Sequence, residues 1–216
     1  MRPSSEELDL PGVAPSRQMR SRETTLALLE AGATMLRTRS LAELSIEALC
    51  TEVGATVGAF YSRFESKDAY FNALMALAAR DGERRVKEMA AGNSARDMDL
   101  AARCRQLVSG VIDWMRAHEG VLRAALQHED NRPDKWTPFK ALARANTEHA
   151  TPLLLPAMGK GRRAAKGRTI AFAFQVVLGT LVNAILNDPG PLSLHERELE
   201  VRLGNLLQQL LEAEIG

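Results

Sequence analysis

Apolar residues recur at intervals of three and four through most of the chain, and the alternating runs that would mark strands are absent. The pattern predicts an all-helical protein. In residues 21–39, Leu29, Ala33 and Leu36 fall at i, i+4 and i+7, with Thr25 or Leu26 extending the same face, which predicts a first amphipathic helix. Ser45 stands as an N-cap before Ile46, Leu49, Cys50 and Val53, an apolar stripe only about two turns long. Gly54 follows where a helix end needs a left-handed residue. Thr56 then caps a third short helix that turns Phe60 and Phe64 inward. Ser66 caps a fourth, running through Tyr70, Leu74, Leu77 and Ala78 towards Ala90.

Beyond Gly92-Asn93, a capping box of Ser94 and Asp97 opens a helix that is expected to end near His118, followed by a short helix over residues 121–128. Residues 131–138 read as a loop. Pro138 suits the first position of the next helix, which Thr151-Pro152 should kink or end. Residues 159–167 read as a mobile connector before an apolar helix over 168–187, stopped by Asp188-Pro189-Gly190-Pro191. Ser193 and Glu196 form a second capping box before a last helix carrying Leu199, Leu203, Leu206 and Leu210. The pattern adds up to about nine helices with no internal repeat.

Composition narrows the class. A chain of 216 residues, 45% hydrophobic and 25% charged, has the profile of an ordered globular protein. Cys50 and Cys104 lie far apart without CxxC spacing, which excludes a disulfide scaffold or structural zinc site and makes Cys50, on its apolar stripe, a core residue. The net charge of +1 argues by itself against a broad nucleic-acid surface. Its distribution is uneven, however. Arg17, Arg20 and Arg22 occur without an acid in residues 16–22, as do Lys160, Arg162, Arg163, Lys166 and Arg168 in residues 160–168, which read as a solvated loop or a second nucleic-acid patch. Half of the ten aromatic residues fall between Phe60 and Phe71.

The polar, proline-bearing first fifteen residues predict a disordered tail and no signal peptide. The run over 170–186 (IAFAFQVVLGTLVNAIL) falls short of a membrane span, and Gln175, Thr180 and Asn183 interrupt it. Its basic flank would suit an inner-leaflet anchor; a helix buried on two sides explains the same pattern. The expectation is a cytoplasmic protein without a membrane partner.

Two helices joined by a glycine turn, the second very short, match a helix-turn-helix. Residues 45–71, SIEALCTEVGATVGAFYSRFESKDAYF, then carry a specific resemblance: they are similar to the DNA-binding motif of the TetR family of bacterial transcriptional regulators. The matching places are Ser45, Leu49-Cys50, Gly54, Ala55-Thr56, Gly58-Ala59-Phe60-Tyr61, Arg63-Phe64 and Ser66-Lys67-Asp68. Leu28-Leu29, Ala31 and Met35-Leu36 fit the family's first helix. Ala59 departs where the family usually has Thr or Ser, Ala55 where it has Val, and Ser40 where a Gly usually ends helix one.

The resemblance implies a disordered tail over 1–16, a three-helix DNA-binding domain over 17–66, and an effector-binding and dimerisation domain over 67–216. Thr56 and Ser45, at helix N-termini, are expected to hold phosphate oxygens. Tyr61 and Lys67 are further phosphate candidates, with a half-buried ring and a solvated charge as the alternatives. Arg63 is expected at phosphate or at the edge of a guanine. Val57, Gly58, Ala59 and Ser62 are expected to face the bases, with thymine-methyl contacts by Val57 or Ala59. Arg20 and Arg22, placed just before helix one, would enter the minor groove or remain a solvated tail.

A regulator of this kind is expected to be a homodimer on a palindromic operator in double-stranded DNA. Phe174, Val177 and Leu181, with Leu199, Leu203, Leu206 and Leu210, carry more apolar surface than one core face needs. They would pair as a four-helix bundle or lie within a monomer. A small lipophilic effector would bind among Trp114, Met115, His118, Leu122, Phe139, His149, Phe172 and Gln175, releasing a repressor from DNA; each of these is alternatively simple core. No cofactor or metal is expected, since His128, Glu129 and Asp130 are adjacent ligands that rarely converge. P-loop, HExxH and GxSxG frames are absent, so no enzyme is expected. A rival reading is a helical small-molecule carrier with a vestigial helix-turn-helix.

Overall fold

The computed structural model describes residues 19–91, 98–127 and 137–213, with side chains over 21–89, 98–127 and 139–213. The described residues form eight α-helices and no β-strand: α1 (Met19–Met35), α2 (Ile46–Glu52), α3 (Val57–Tyr61), α4 (Lys67–Ala91), α5 (Leu100–Gln127), α6 (Thr137–Leu154), α7 (Arg163–Asn187) and α8 (Arg197–Glu212). The all-helical expectation therefore holds, while several boundaries move. The tail over 1–16, the Gly92-Asn93 break, the Ser94–Asp97 box and His128 with the loop over 131–136 lie outside the described residues.

The largest correction is α5. Two helices are expected around Gly120, but a single helix of 28 residues runs through it. A Cβ on Gly120 would lie 2.6 Å from the backbone of Leu36 and Arg37, so this glycine serves close helix approach instead of a break. Helix α6 continues two residues beyond Pro152 before a 3-10 turn over Leu155–Ala157 ends it. Helix α7 begins at Arg163, so part of the expected connector is helical. Ala164, Ala165 and Lys166 are good helix formers there, and the Lys166 ammonium reaches back to the Met158 carbonyl at 3.2 Å. The Ser193–Glu196 pair closes a turn of its own, Ser193 N–H donating to the Glu196 carboxylate at 2.9 Å, and α8 starts only at Arg197.

The chain divides into two compact units, and neither is a single stretch. Unit 1 comprises Met1–Arg80 with His118–Pro138, and unit 2 comprises Asp81–Ala117 with Phe139–Gly216. Helices α4 and α5 therefore each contribute residues to both. Unit 1 is built on Leu28, Leu29, Leu36, Leu49, Phe60, Phe64 and Tyr70, all fully buried. In unit 2, α7 and α8 pack against each other, and Ile170, Phe174, Val177, Leu181, Leu203, Leu207 and Leu211 on them are buried. Arg116 fastens α5 to the approach of α8, donating to the Leu194 carbonyl at 2.9 Å and pairing with Glu200 at 3.4 Å. Among the described residues α7 alone is long and apolar enough to cross a membrane, by length and composition only. Its residues Ile170, Ala173, Phe174, Val177 and Leu181 are nonetheless buried within the chain.

Candidate nucleic-acid interface

Short helices do not persist without help, because nucleation is costly and few internal bonds repay it. In unit 1 the help is local. The Ser45 hydroxyl accepts from Ala48 N–H at 3.2 Å and donates to the Glu47 carboxylate at 2.8 Å, which also holds the Glu47 carboxyl below its ordinary range. Gly54, at φ +66°, makes the turn that a side chain would disfavour. Thr56 then caps α3, accepting from Ala59 N–H at 3.0 Å, and Ser66 caps α4, accepting from Ala69 N–H at 3.0 Å. Four caps and turns thus fix a short helix whose outward residues are set by its inward ones.

The inward residues are aromatic. Phe60 lies 5.1 Å from Phe64 and 5.2 Å from Tyr70, and Phe64 meets Tyr70 edge-on at 4.9 Å. The Tyr70 hydroxyl donates to the Leu28 carbonyl at 2.7 Å, tying α4 to α1, and burial pushes this phenol well above its usual range. Gly32 leaves the necessary space, since a Cβ there would overlap the Tyr70 ring and hydroxyl. The sequence pattern misses this role of Gly32, for which an isolated glycine inside a helical stripe is the available signal.

With Phe60 and Phe64 buried, Thr56, Gly58, Tyr61 and Ser62 are exposed and Val57 and Ala59 half-buried. Tyr61 is 53% exposed, with its ring edge-on to Phe60. Ser62 donates its hydroxyl to the Ala59 carbonyl at 2.9 Å. These residues share one outward surface around α3, small apart from Tyr61, which would let a backbone approach a groove closely.

Two basic candidates lie differently from the simplest expectation. Arg63 folds back: its guanidinium donates to the Ala59 carbonyl, to the Ser62 hydroxyl at 3.2 Å, and to the carbonyl and hydroxyl of Ser21 at 3.4 and 3.3 Å. It braces the end of α3 against the start of α1. Lys67 donates to the Ala42 carbonyl at 3.2 Å, fastening α4 to the loop before α2. Arg20 and Arg22, expected ahead of helix one, fall in the first turn of α1, which contains no acid; the side chain of Arg20 lies outside the described residues, and Arg22 is half-buried.

Of the expected effector residues, Trp114, Met115, His118 and Leu122 follow one another along α5, Phe139 and His149 lie on α6, and Phe172 and Gln175 on α7. His118 and Leu122 belong to unit 1, the other six to unit 2. There Trp114 and Phe139 are buried with ring centres 6.2 Å apart, and Met115 is buried as well. His149 is half-buried, with Nδ1 3.1 Å from the Ala145 carbonyl. Phe172 is 57% exposed, and Gln175 lies in an open groove between α6 and α7. Beside Trp114 is a small cavity of about 20 Å3, lined also by Gly82, Arg85, Val86, Met89, Gly110, Val111 and Asn146. That is space for about one water molecule.

Of the expected pairing residues, Phe174, Val177, Leu181, Leu199 and Leu203 are buried within the chain itself, while Leu206 and Leu210 are half-buried. The basic residues Lys160, Arg162, Arg163 and Arg168 are exposed around the start of α7. Among the described residues no cluster of three metal-ligating side chains occurs; His128, Glu129 and Asp130 lie outside them.

A capped two-helix unit joined through a left-handed glycine, with rings inward and small residues outward, defines a helix-turn-helix protein of the all-helical class. Residues 28–74 match the family model of bacterial regulatory proteins, tetR family. The fold agrees over most of the molecule. A putative TetR-family transcriptional regulator from Mesorhizobium loti superposes with a TM-score of 0.64 at 16% identity, covering 90% of this chain and 98% of that one. GusR of Salmonella enterica gives 0.62 at 15% identity over 91% and 99%, and a TetR-family regulator from Streptomyces coelicolor gives 0.61 at 18% over 86% and 81%. No curated protein matches the chain.

Proposed function

We propose that this protein is a dimeric transcriptional repressor that binds a palindromic operator through α3 and releases it when a small lipophilic effector enters unit 2. The observation that carries the reading is the surface around α3: Thr56 at the N-terminus, Gly58 and Ala59 offering close approach, and Tyr61 with an exposed phenol. The free N–H groups beside Thr56 and the phenol of Tyr61 suit phosphate oxygens, and Val57 and Ala59 suit thymine methyl groups. Ser45 offers the same phosphate geometry at α2. Arg63 and Lys67 act in this reading chiefly as braces, each with donors left to turn towards a phosphate. Arg20 and Arg22 add positive charge at the acid-free start of α1.

The dimer is supported by what unit 2 leaves uncovered. On α7, Phe172, Gln175 and Gly179 are exposed, Leu178 and Val182 half-exposed, and on α8 Val201 is 43% exposed. A second copy seated there would bury them, with Leu206 and Leu210 at the margin. Effector entry requires the cavity beside Trp114 to open. Met89 and Leu142, which lie over Gly110 and Gly82, are flexible enough to swing aside.

The test is selection of bound duplexes from a random-sequence pool by the full chain. Enrichment of an inverted repeat supports the repressor; recovery of no preferred sequence favours a small-molecule carrier whose helix-turn-helix has lost its role.

A further inference from the structure

Helix α1 is held at three points inside unit 1. Its start meets α3 through Arg63, whose guanidinium bonds to the carbonyl and hydroxyl of Ser21. Its middle meets α4 through the Tyr70 hydroxyl on the Leu28 carbonyl. Its end meets the last turns of α5. There Arg123 donates to the Leu36 carbonyl at 3.1 Å and to the Arg37 carbonyl, and is itself steadied by Glu119 at 3.5 Å.

Those carbonyls have no intrahelical partner, because the last carbonyls of any helix lack one. Neither α1 nor the following turn supplies a glycine cap: the chain leaves α1 through Arg37 N–H on Thr34 and Thr38 and Arg39 N–H on Met35. A cation from another helix fills that place and suits the negative end of the α1 dipole. One turn before it, Gly120 brings α5 against the backbone of Leu36 and Arg37, where a Cβ would approach to 2.6 Å. The contact is therefore backbone against backbone, with no side chain between to absorb a displacement.

Resting on the function proposed above, we infer that Gly120 and Arg123 form a clamp through which α5 positions α1, and through α1 and Arg63 the recognition helix α3. Arg123 is a positioning residue, with no contact to DNA. Within unit 1 the clamp fixes the end of α1, and the Ser21–Arg63 bonds tie the start of α1 to the end of α3.

The experiment uses the full chain with Arg123→Ala, Arg123→Lys and Gly120→Ala, titrated against the inverted-repeat duplex selected by the native protein and against a scrambled duplex. Arg123→Ala should weaken the selected duplex about tenfold while scrambled-duplex affinity and the thermal midpoint stay unchanged. Arg123→Lys, which keeps one donor for a carbonyl, should recover part of the loss. Gly120→Ala should also weaken selective binding, although alanine is the better helix former. Equal affinities for Arg123→Ala and native protein on both duplexes would overturn the clamp, as would a parallel fall on both with a lowered midpoint. If the native protein selects no duplex, the proposed function fails by itself, and hydrogen exchange decides the clamp: the Thr38 and Arg39 amides should exchange faster in Arg123→Ala, and unchanged rates would refute it.

Discussion

The two units spend their aromatic and capping residues in opposite ways. In unit 1 the short helices α2 and α3 depend on Ser45, Thr56 and Gly54, and on rings stacked within about 5 Å of each other. In unit 2, helices of 16 to 25 residues such as α7 and α8 have Arg162 and Glu196 at their N-caps with no side-chain cap bond, and their stability comes from long buried faces. The difference teaches where precision is needed: the proposed reading surface, only a few residues long, has its helix starts held by side-chain caps, while the long packing helices α7 and α8 do without them.

Removing a ring from each unit tests this most strongly. Phe60→Ala and Phe174→Ala should each lower unfolding free energy by about 3–5 kcal/mol in denaturant titrations, since both rings are buried. Equal losses are expected, but only Phe60→Ala should abolish selective DNA binding at temperatures where the variant remains folded. Phe172→Ala, two residues from Phe174 yet exposed, should leave monomer stability within about 0.5 kcal/mol of native. It should weaken self-association measured by sedimentation; an unchanged dimer would move the interface away from α7.

Tyr70 gives a smaller and pH-dependent effect. Tyr70→Phe removes the bond to Leu28 and should cost about 1–3 kcal/mol at neutral pH. The folded-state phenol is raised above its ordinary value of 10.0, chiefly by burial, so its contribution is complete below that value and lost as pH rises through it. Native protein should therefore weaken above about pH 10, and Tyr70→Phe should show less of that slope. Smaller still, Thr56→Ala should cost about 1 kcal/mol through the lost α3 cap. It should weaken DNA binding by more than the lost stability accounts for; a purely proportional loss would remove Thr56 from the phosphate contact.

The same contrast explains how much was legible in the sequence. Helix-turn-helix caps are local signals, so Ser45, Gly54, Thr56 and Ser66 could be placed from their neighbours alone. Gly120 shows the limit: a glycine within a helix breaks it or admits another backbone, and only the tertiary partner at Leu36 decides. Arg63 and Lys67 are long cations near a predicted reading surface, and nothing local announces that Ser21 and Ala42 capture them. On α7, apolar residues on all sides left open which ring faces inward; Phe174 is buried and Phe172 is not. Packing of α8 against α7 likewise shifted the fully buried positions near its end to Leu207 and Leu211, beside Leu206 and Leu210.

The central claim is that α3 reads DNA. Its most direct measurement is fluorescence anisotropy of the full chain on the duplex it selects from a random pool, compared with a scrambled duplex, for native protein and a variant carrying Gly58→Glu. The account predicts at least about a thousandfold preference for the selected duplex and its loss in Gly58→Glu, an exposed position where a Cβ meets only the Thr56 hydroxyl at 3.8 Å and folding is spared. Equal affinity of the two proteins for the selected duplex would contradict it.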